Sequence, residues 1–260
     1  MSNGRLANKV SIITGGAGGI GTATGLTFSS EGSHLALVDR DQSELDAARK
    51  AILAEIPNAT ISTHTADLSD EAAAQKAVDE IIEQHGRIDV LVNCAGIRGY
   101  DTIEEATWAH WEAIMKVNFL SYTSMTRAAL PHLRKSGHGS VVNVSSHNAF
   151  YGRAGTGAYD ASKAAILAFT RTLAFEEYKH GIRANAVCPG PTRTPFHEKR
   201  LGVEKLKADK PEGLMQRWAE PKEIAYPILW LASAEASYVN ATELLVDGGY
   251  PVGPTMGSDF

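Results

Sequence analysis

With 260 residues, 43% of them hydrophobic and 21% charged, the chain has the composition of a folded globular protein, which excludes the disordered and fibrous classes. A formal net charge of -5 gives it no general attraction to nucleic acid or to an anionic membrane, and no uninterrupted apolar run approaches the roughly 18 residues that span a bilayer. The opening residues lack the basic and apolar regions of a secretory signal, and the two cysteines, Cys94 and Cys188, stand among apolar and small residues, so the expectation is a cytoplasmic protein with reduced thiols.

Seven short apolar, β-rich runs follow one another at residues 10–14, 34–38, 60–65, 90–93, 140–145, 183–187 and 243–246. Most are separated by stretches of helical length and period. Their hydrophobicity is continuous rather than alternating, which means strands covered on both faces, and the intervening helices mean right-handed crossovers. The predicted fold is therefore α/β: one domain over residues 1–260, with a doubly wound, Rossmann-like parallel sheet of about seven strands and helices on both faces. Residues 190–221, charged and bounded by prolines, interrupt this rhythm at a strand's carboxyl end, where open α/β sheets bind ligands, and are expected to form a lid.

Directly after the first run, Gly15, Gly19 and Gly21 open a predicted helix. Such glycines let the backbone approach a pyrophosphate, which then sits against free N–H groups at the helix N-terminus. Their spacing, G-x-x-x-G-x-G, departs from the usual G-x-G-x-x-G dinucleotide pattern. The second run ends in "LALVDR", with Asp39 eighteen residues after Gly21, close to the distance at which an acid meets the adenosine ribose. A carboxylate there accepts hydrogen bonds from both ribose hydroxyls and repels a 2′-phosphate, so NAD is expected rather than NADP. Arg40 is expected to stack on adenine or face solvent.

The fifth run ends at Ser145 and Ser146, which point to opposite faces if the strand pleat persists. After it, "GTGAYDASKAAILAFTRTLAFEEY" reads as one helix, in which Tyr159 and Lys163 share a face with Cβ atoms about 5–6 Å apart. A free phenol, with a pKa of about 10, is a poor base at neutral pH. A fixed ammonium favours the phenolate, and lowering the pKa by about 3 units needs roughly 4 kcal/mol. Tyr159 could then take a hydroxyl proton as hydride leaves carbon, with Ser146 holding the reacting oxygen.

These motifs, from "TGGAGGIG" (14–21) to "VDGG" (246–249), resemble the short-chain dehydrogenase/reductase family over nearly the whole chain. The resemblance explains the glycine spacing and implies a cofactor loop of Gly15, Gly19, Ile20 and Gly21. It implies that Asp67 and Leu68 lie beside adenine, and that Asn93, Ala95 and Gly96 form a stabilising, cofactor-lining element in which Cys94 replaces the usual second asparagine. It further implies that Asn118 completes a tetrad with Ser146, Tyr159 and Lys163 by holding a water, that Pro189, Gly190, Thr192 and Thr194 line the nicotinamide, and that the chain forms a homotetramer with its tail, 250–260, near subunit contacts. Ala241 stands where the family usually has glycine.

The resemblance also places Arg98, Tyr100, His147, Asn148, Arg153, Arg193 and His197 around the substrate. This polar, cationic set suits a small polyhydroxylated compound or hydroxy acid, with an anionic group such as a carboxylate held by arginine's planar fork. The alternatives are a dehydrogenase or reductase of a neutral cyclic alcohol or ketone, and a non-catalytic NAD-sensing protein, which would have been expected to lose Tyr159 or Lys163.

Overall fold

In a computed structural model, which describes residues 4–211 and 213–250, all seven apolar runs are strands. They are β1 (Val10–Thr14), β2 (His34–Asp39), β3 (Ile61–Thr65), β4 (Val90–Asn93), β5 (Ser140–Val144), β6 (Arg183–Pro189) and β7 (Glu243–Val246). All pair in parallel, in the order β3-β2-β1-β4-β5-β6-β7. Every residue of β1, β4 and β5 is buried, as continuous apolar runs require. The pleat of β1 sends Ile13 into one apolar layer, with Phe28, Leu35 and Ile224, and Ile12 into the opposite layer, with Ile81, Leu91 and Met125. The sheet is thus covered on both sides, as predicted.

The helices before the fifth strand are α1 (Gly19–Ser30), α2 (Gln42–Glu55), α3 (Glu71–His85), α4 (Trp108–Met115) and α5 (Ser121–Ser136). After it come α6 (Gly157–Glu177), α7 (Pro195–Leu201), α8 (Val203–Ala208) and α9 (Pro221–Ala232). Strand order reverses between β1 and β4, so the loops after these two strands diverge and open a crevice at their carboxyl ends. That crevice positions everything described below.

Three details differ from the sequence reading. The fifth strand stops at Val144, one residue short of the expected end, whereas the sixth continues past Val187 because Cys188 and Pro189 pair with Leu245 and Val246. Residues 190–221 are not irregular but hold α7 and α8, and the segment is closed at its base by hydrogen bonds from Arg193 N–H to the Ala219 carbonyl (2.8 Å) and from Ala219 N–H to the Pro191 carbonyl (2.9 Å). Of the tail expected near subunit contacts, residues 251–260 lie outside the described residues. Among the described residues no helix is long and apolar enough to cross a membrane.

Ala241, in the turn before β7, has φ of +59°, a left-handed conformation that disfavours a Cβ. The turn is held by the Ala241 N–H donating to the Ala184 carbonyl (2.9 Å) and by the Asn240 side chain accepting from Ala184 N–H (2.9 Å). Removing the Cβ relieves roughly 1–2 kcal/mol, partly offset by about 0.5–1 kcal/mol of extra chain entropy for glycine. Ala241→Gly is therefore expected to raise stability by about 0.5–1 kcal/mol in urea unfolding; a destabilised variant would mean that the strain is relieved by contacts of the methyl group.

Candidate active site

The crevice is a cleft of about 1160 Å³, larger than the roughly 300–1,000 Å³ of most small-molecule pockets and of a size for a dinucleotide together with a small substrate. At its floor β1 passes into α1 through Gly15, which has φ of +64°; a Cβ there would come within 2.8 Å of the Ala95 backbone. A Cβ on Gly21 would meet the Gly15 carbonyl oxygen at 2.1 Å, so the turn closes only with hydrogen at that position. The α1 N-terminus has no side-chain cap, and Gly18, Gly19, Ile20 and Gly21 line the cleft. An uncapped helix start behind a glycine cradle fits a pyrophosphate. Gly19 packs against Thr194 and Pro195, which brings the start of α7 over this loop.

At the end of β2 the Asp39 carboxylate lines the cleft, accepting from Ala17 N–H (3.2 Å) and Arg40 N–H (2.8 Å). Arg40 is exposed beside it. Asp67 and Leu68 also line the cleft, and the Ser69 N–H, with Arg40 as a smaller cause, holds the Asp67 carboxyl below its ordinary pKa. A carboxylate aimed at one end and a glycine cradle in the middle fit an adenosine ribose and a pyrophosphate respectively.

After β4, the Thr14 hydroxyl accepts from Cys94 N–H (3.0 Å) and Ala95 N–H (3.2 Å), fixing the loop that carries Ala95 and Gly96 into the cleft. Asn93 does not line the cleft, contrary to its expected cofactor contact. It is fully buried, donating to Asn143 Oδ1 (2.9 Å) and Thr126 Oγ1 (3.2 Å), and so ties β4 to β5 and α5. Burial pushes the Cys94 and Cys188 thiols up to about 12, so neither is a nucleophile at neutral pH.

Asn118 sits in a single π turn, Lys116–Leu120, between α4 and α5. Such one-residue expansions of a helix are rare and occur often at functional sites. Its side chain clamps the loop above it: Oδ1 accepts from Ile97 N–H (2.8 Å), and Nδ2 donates to the Ile97 carbonyl (3.0 Å) and to Ser162 Oγ (3.1 Å). A Cβ on Gly96 would lie 3.5 Å from Asn118 Oδ1 and 3.6 Å from Lys163 Nζ, which places these two side chains together under the loop.

The three other expected catalytic residues converge on the cleft. Lys163, buried on α6, donates to the Val144 carbonyl (2.9 Å), and its ammonium is 5.8 Å from the Tyr159 ring centroid. Ser145 and Ser146 serve different partners: Ser145 Oγ donates to the Lys163 carbonyl (2.7 Å), whereas Ser146 Oγ accepts from Asn148 N–H (3.1 Å) and lies beside the Tyr159 phenol. Burial alone would push the Tyr159 phenol up. Arg98 first, then Lys163, then the Ser146 hydroxyl together outweigh it, and the phenol ionises below its ordinary value. Lys163 shifts down because burial outweighs its attraction to Tyr159.

Pro189, Gly190, Thr192 and Thr194 line the far wall. The substrate residues expected from sequence divide. His147 and Asn148 are buried at the cleft wall, but Asn148 is committed to Asp160 Oδ1 (2.7 Å). Arg153 lines the cleft with an exposed side chain. Arg98 lines it too, but its guanidinium lies over the Tyr159 ring, 4.4 Å from the centroid. Arg193 is not among the cleft-lining residues: it pairs with Glu198 (2.9 Å) and Glu220 (3.8 Å), so its charge is already answered within the segment. His197 lines the cleft too; missed in the sequence were Tyr151, Phe196, Arg200 and Trp218, all lining residues. Three aromatic rings in a charged segment, with His197 5.2 Å from Phe196 and 5.0 Å from Trp218, were the available signal.

Comparison with known proteins agrees with this geometry. A family model described as enoyl-(acyl carrier protein) reductase matches residues 15–251. A 3-oxoacyl-[acyl-carrier-protein] reductase of Thermotoga maritima is 37% identical, covering 94% of this chain and 98% of its own. Levodione reductase of Leifsonia aquatica is 36% identical over 94% and 95% of the two chains. Among solved structures, L-sorbose reductase of Gluconobacter frateurii, complexed with NADPH and L-sorbose, superposes with a TM-score of 0.91 at 28% identity, over 98% of this chain and all of that one. The chain belongs to the short-chain dehydrogenase/reductase family, oxidoreductases that work with a nicotinamide cofactor on alcohols and ketones.

Proposed function

We propose that the protein interconverts a small, polar secondary alcohol and its ketone with NAD, using Tyr159 as the acid/base. One observation carries the reading: the phenol, flanked by Arg98, Lys163 and Ser146, opens into the same cleft as the Asp39 carboxylate and the glycine cradle. When bound, NAD supplies the hydride acceptor. The residues do the rest. Asp39 receives the ribose hydroxyls, the α1 N-terminus receives the pyrophosphate, and Pro189, Gly190, Thr192 and Thr194 wall the nicotinamide side. Ser146 hydrogen-bonds the reacting oxygen, Tyr159 takes its proton, and Asn118, through Ile97 and Ser162, holds the loop and helix on which these groups stand. Residues 190–221 act as a lid, supported by Phe196, His197 and Trp218 at the cleft wall. The assembly is a homotetramer; the exposed Phe175 and Tyr178 rings on and just after α6, 6.5 Å apart, support a subunit contact.

NAD is preferred because a 2′-phosphate would face Asp39. Asp39→Ala is expected to narrow the ratio of kcat/KM for NAD over NADP by about tenfold, the equivalent of about 1.4 kcal/mol. An unchanged ratio would show that Asp39 does not meet the ribose.

An anionic group on the substrate fits the cationic end of the cleft. Arg98, Arg153 and Arg200 all act on His197 there, which burial and these charges push down to about 4. Among the described residues neither Arg153 nor Arg200 has a carboxylate partner, and Arg200 stacks over Tyr100 at 4.7 Å. Arg200 thus takes the place expected of Arg193. In Arg153→Ala or Arg200→Ala, kcat/KM for a hydroxy acid is expected to fall roughly tenfold more than for its neutral amide, a modest figure because both arginines are exposed. A second reading, a neutral cyclic alcohol or ketone, is favoured by the aromatic wall of Tyr151, Phe196 and Trp218 and by the likeness to levodione reductase. Equal losses with acid and amide would select it.

A further inference from the structure

Arg98 has no part in the Ser–Tyr–Lys chemistry expected from sequence, yet it is the nearest cation to the group that performs it. Its guanidinium carbon is 4.4 Å from the centroid of the Tyr159 ring, against 5.8 Å for the Lys163 ammonium. Lys163 is anchored elsewhere, on the Val144 carbonyl. Among the described residues Arg98 has no carboxylate partner; its side chain is shared between Tyr159 and the nearby Tyr100. We propose that Arg98 is a positioning residue for proton transfer, stacking on Tyr159 to stabilise its phenolate form and to hold the ring toward the reacting oxygen. The proposal rests on the reading of Tyr159 as the acid/base.

The physics favours arginine in this role. A phenolate delocalises its charge into the ring, so a cation over the ring face is attracted both to that charge and to the ring quadrupole. A planar guanidinium is more weakly hydrated than an ammonium, and although burial disfavours its charge, Arg98 keeps that charge throughout the working range. Lys163 differs in this respect: burial pulls its pKa down, so its help fades as pH rises, while that of Arg98 persists. The other groups around the pair do not compete for the role. Tyr122, from α5, and Cys94, from the loop after β4, are kept neutral by burial. His147, after β5, is pushed down to about 4, chiefly by burial, and is neutral near pH 7, as is His197 on α7. Tyr100 shares the Arg98 side chain, Arg200 stacks over Tyr100, and Arg153 acts with Arg98 on His147.

The role predicts a shift that a merely structural residue would not produce. Tyr159 ionisation is read, without substrate, as the near-ultraviolet phenolate absorbance of each protein minus that of its Tyr159→Phe counterpart across a pH titration. Arg98→Met is expected to raise the Tyr159 midpoint by about one pH unit, and Arg98→Lys to recover about half of that shift, with NADH binding by fluorescence unchanged in both. An unmoved midpoint in Arg98→Met with NADH binding intact overturns the proposal; should Arg98→Met fail to fold, the same titration on Arg98→Gln decides it. The two readings fail separately. Turnover retained by Tyr159→Phe overturns the acid/base assignment and this proposal with it, whereas an inactive Tyr159→Phe beside an unmoved midpoint removes Arg98 alone.

Discussion

Tyr159→Phe is expected to lower kcat by about 10³-fold while leaving the NADH dissociation constant within about threefold of the parent. The magnitude is that of a positioned general acid/base, which contributes roughly 10²–10⁴-fold. The substitution removes one oxygen and keeps the ring, so the stack with Arg98 and the packing of α6 remain. The same group sets the pH dependence. Because the phenol ionises below its ordinary value of about 10, oxidation of an alcohol, which needs phenolate, rises with pH and levels off earlier than a free phenol would allow. Ketone reduction needs the protonated phenol and falls as pH rises through the same point. Initial rates in both directions check the sign, and activity of Tyr159→Phe within tenfold of the parent would show that another group carries the proton.

Gly21→Ala is expected to weaken NADH binding by about 30-fold or more. Its Cβ would lie 2.1 Å from the Gly15 carbonyl oxygen and 2.9 Å from the Gly16 Cα, both backbone atoms that no rotamer change relieves. The turn must open, and the start of α1 moves from the position that faces a pyrophosphate. Strain of this kind costs about 1–3 kcal/mol, and 2 kcal/mol is about a 30-fold loss of affinity. Fluorescence titration with NADH measures it, with far-ultraviolet circular dichroism as the check that the sheet survives. Binding within threefold of the parent would mean that the cofactor does not use this helix start.

The sheet was legible in the sequence because strands buried on both faces leave runs such as "VSIIT" and "VLVN" free of charged residues, and turns or helices bound each run. The Tyr159–Lys163 pair was legible because helical spacing alone puts the two side chains on one face. Other features leave no periodic trace. The π turn carrying Asn118 is one extra residue inside a helical pattern, which hydrophobic spacing does not resolve. The turn of Asn93 away from the cleft follows from partners 33 and 50 residues away, Thr126 and Asn143. Arginines are harder still, since the long side chain reaches several partners. Arg193 goes to Glu198 and Glu220, Arg98 goes to Tyr159, and Arg200, unremarked in the sequence, enters the cleft.

The most direct measurement of the central claim is nicotinamide reduction by the parent protein, with NAD and NADP in parallel, across secondary alcohols that include hydroxy acids, polyols and cyclic alcohols such as cyclopentanol. At least one is expected to turn over, faster with NAD than with NADP and faster as pH rises, and to lose that turnover in Tyr159→Phe. If both nucleotides bind but no alcohol is oxidised and no ketone is reduced, or if NADP is the better cofactor, the account given for Tyr159 or for Asp39, respectively, is wrong.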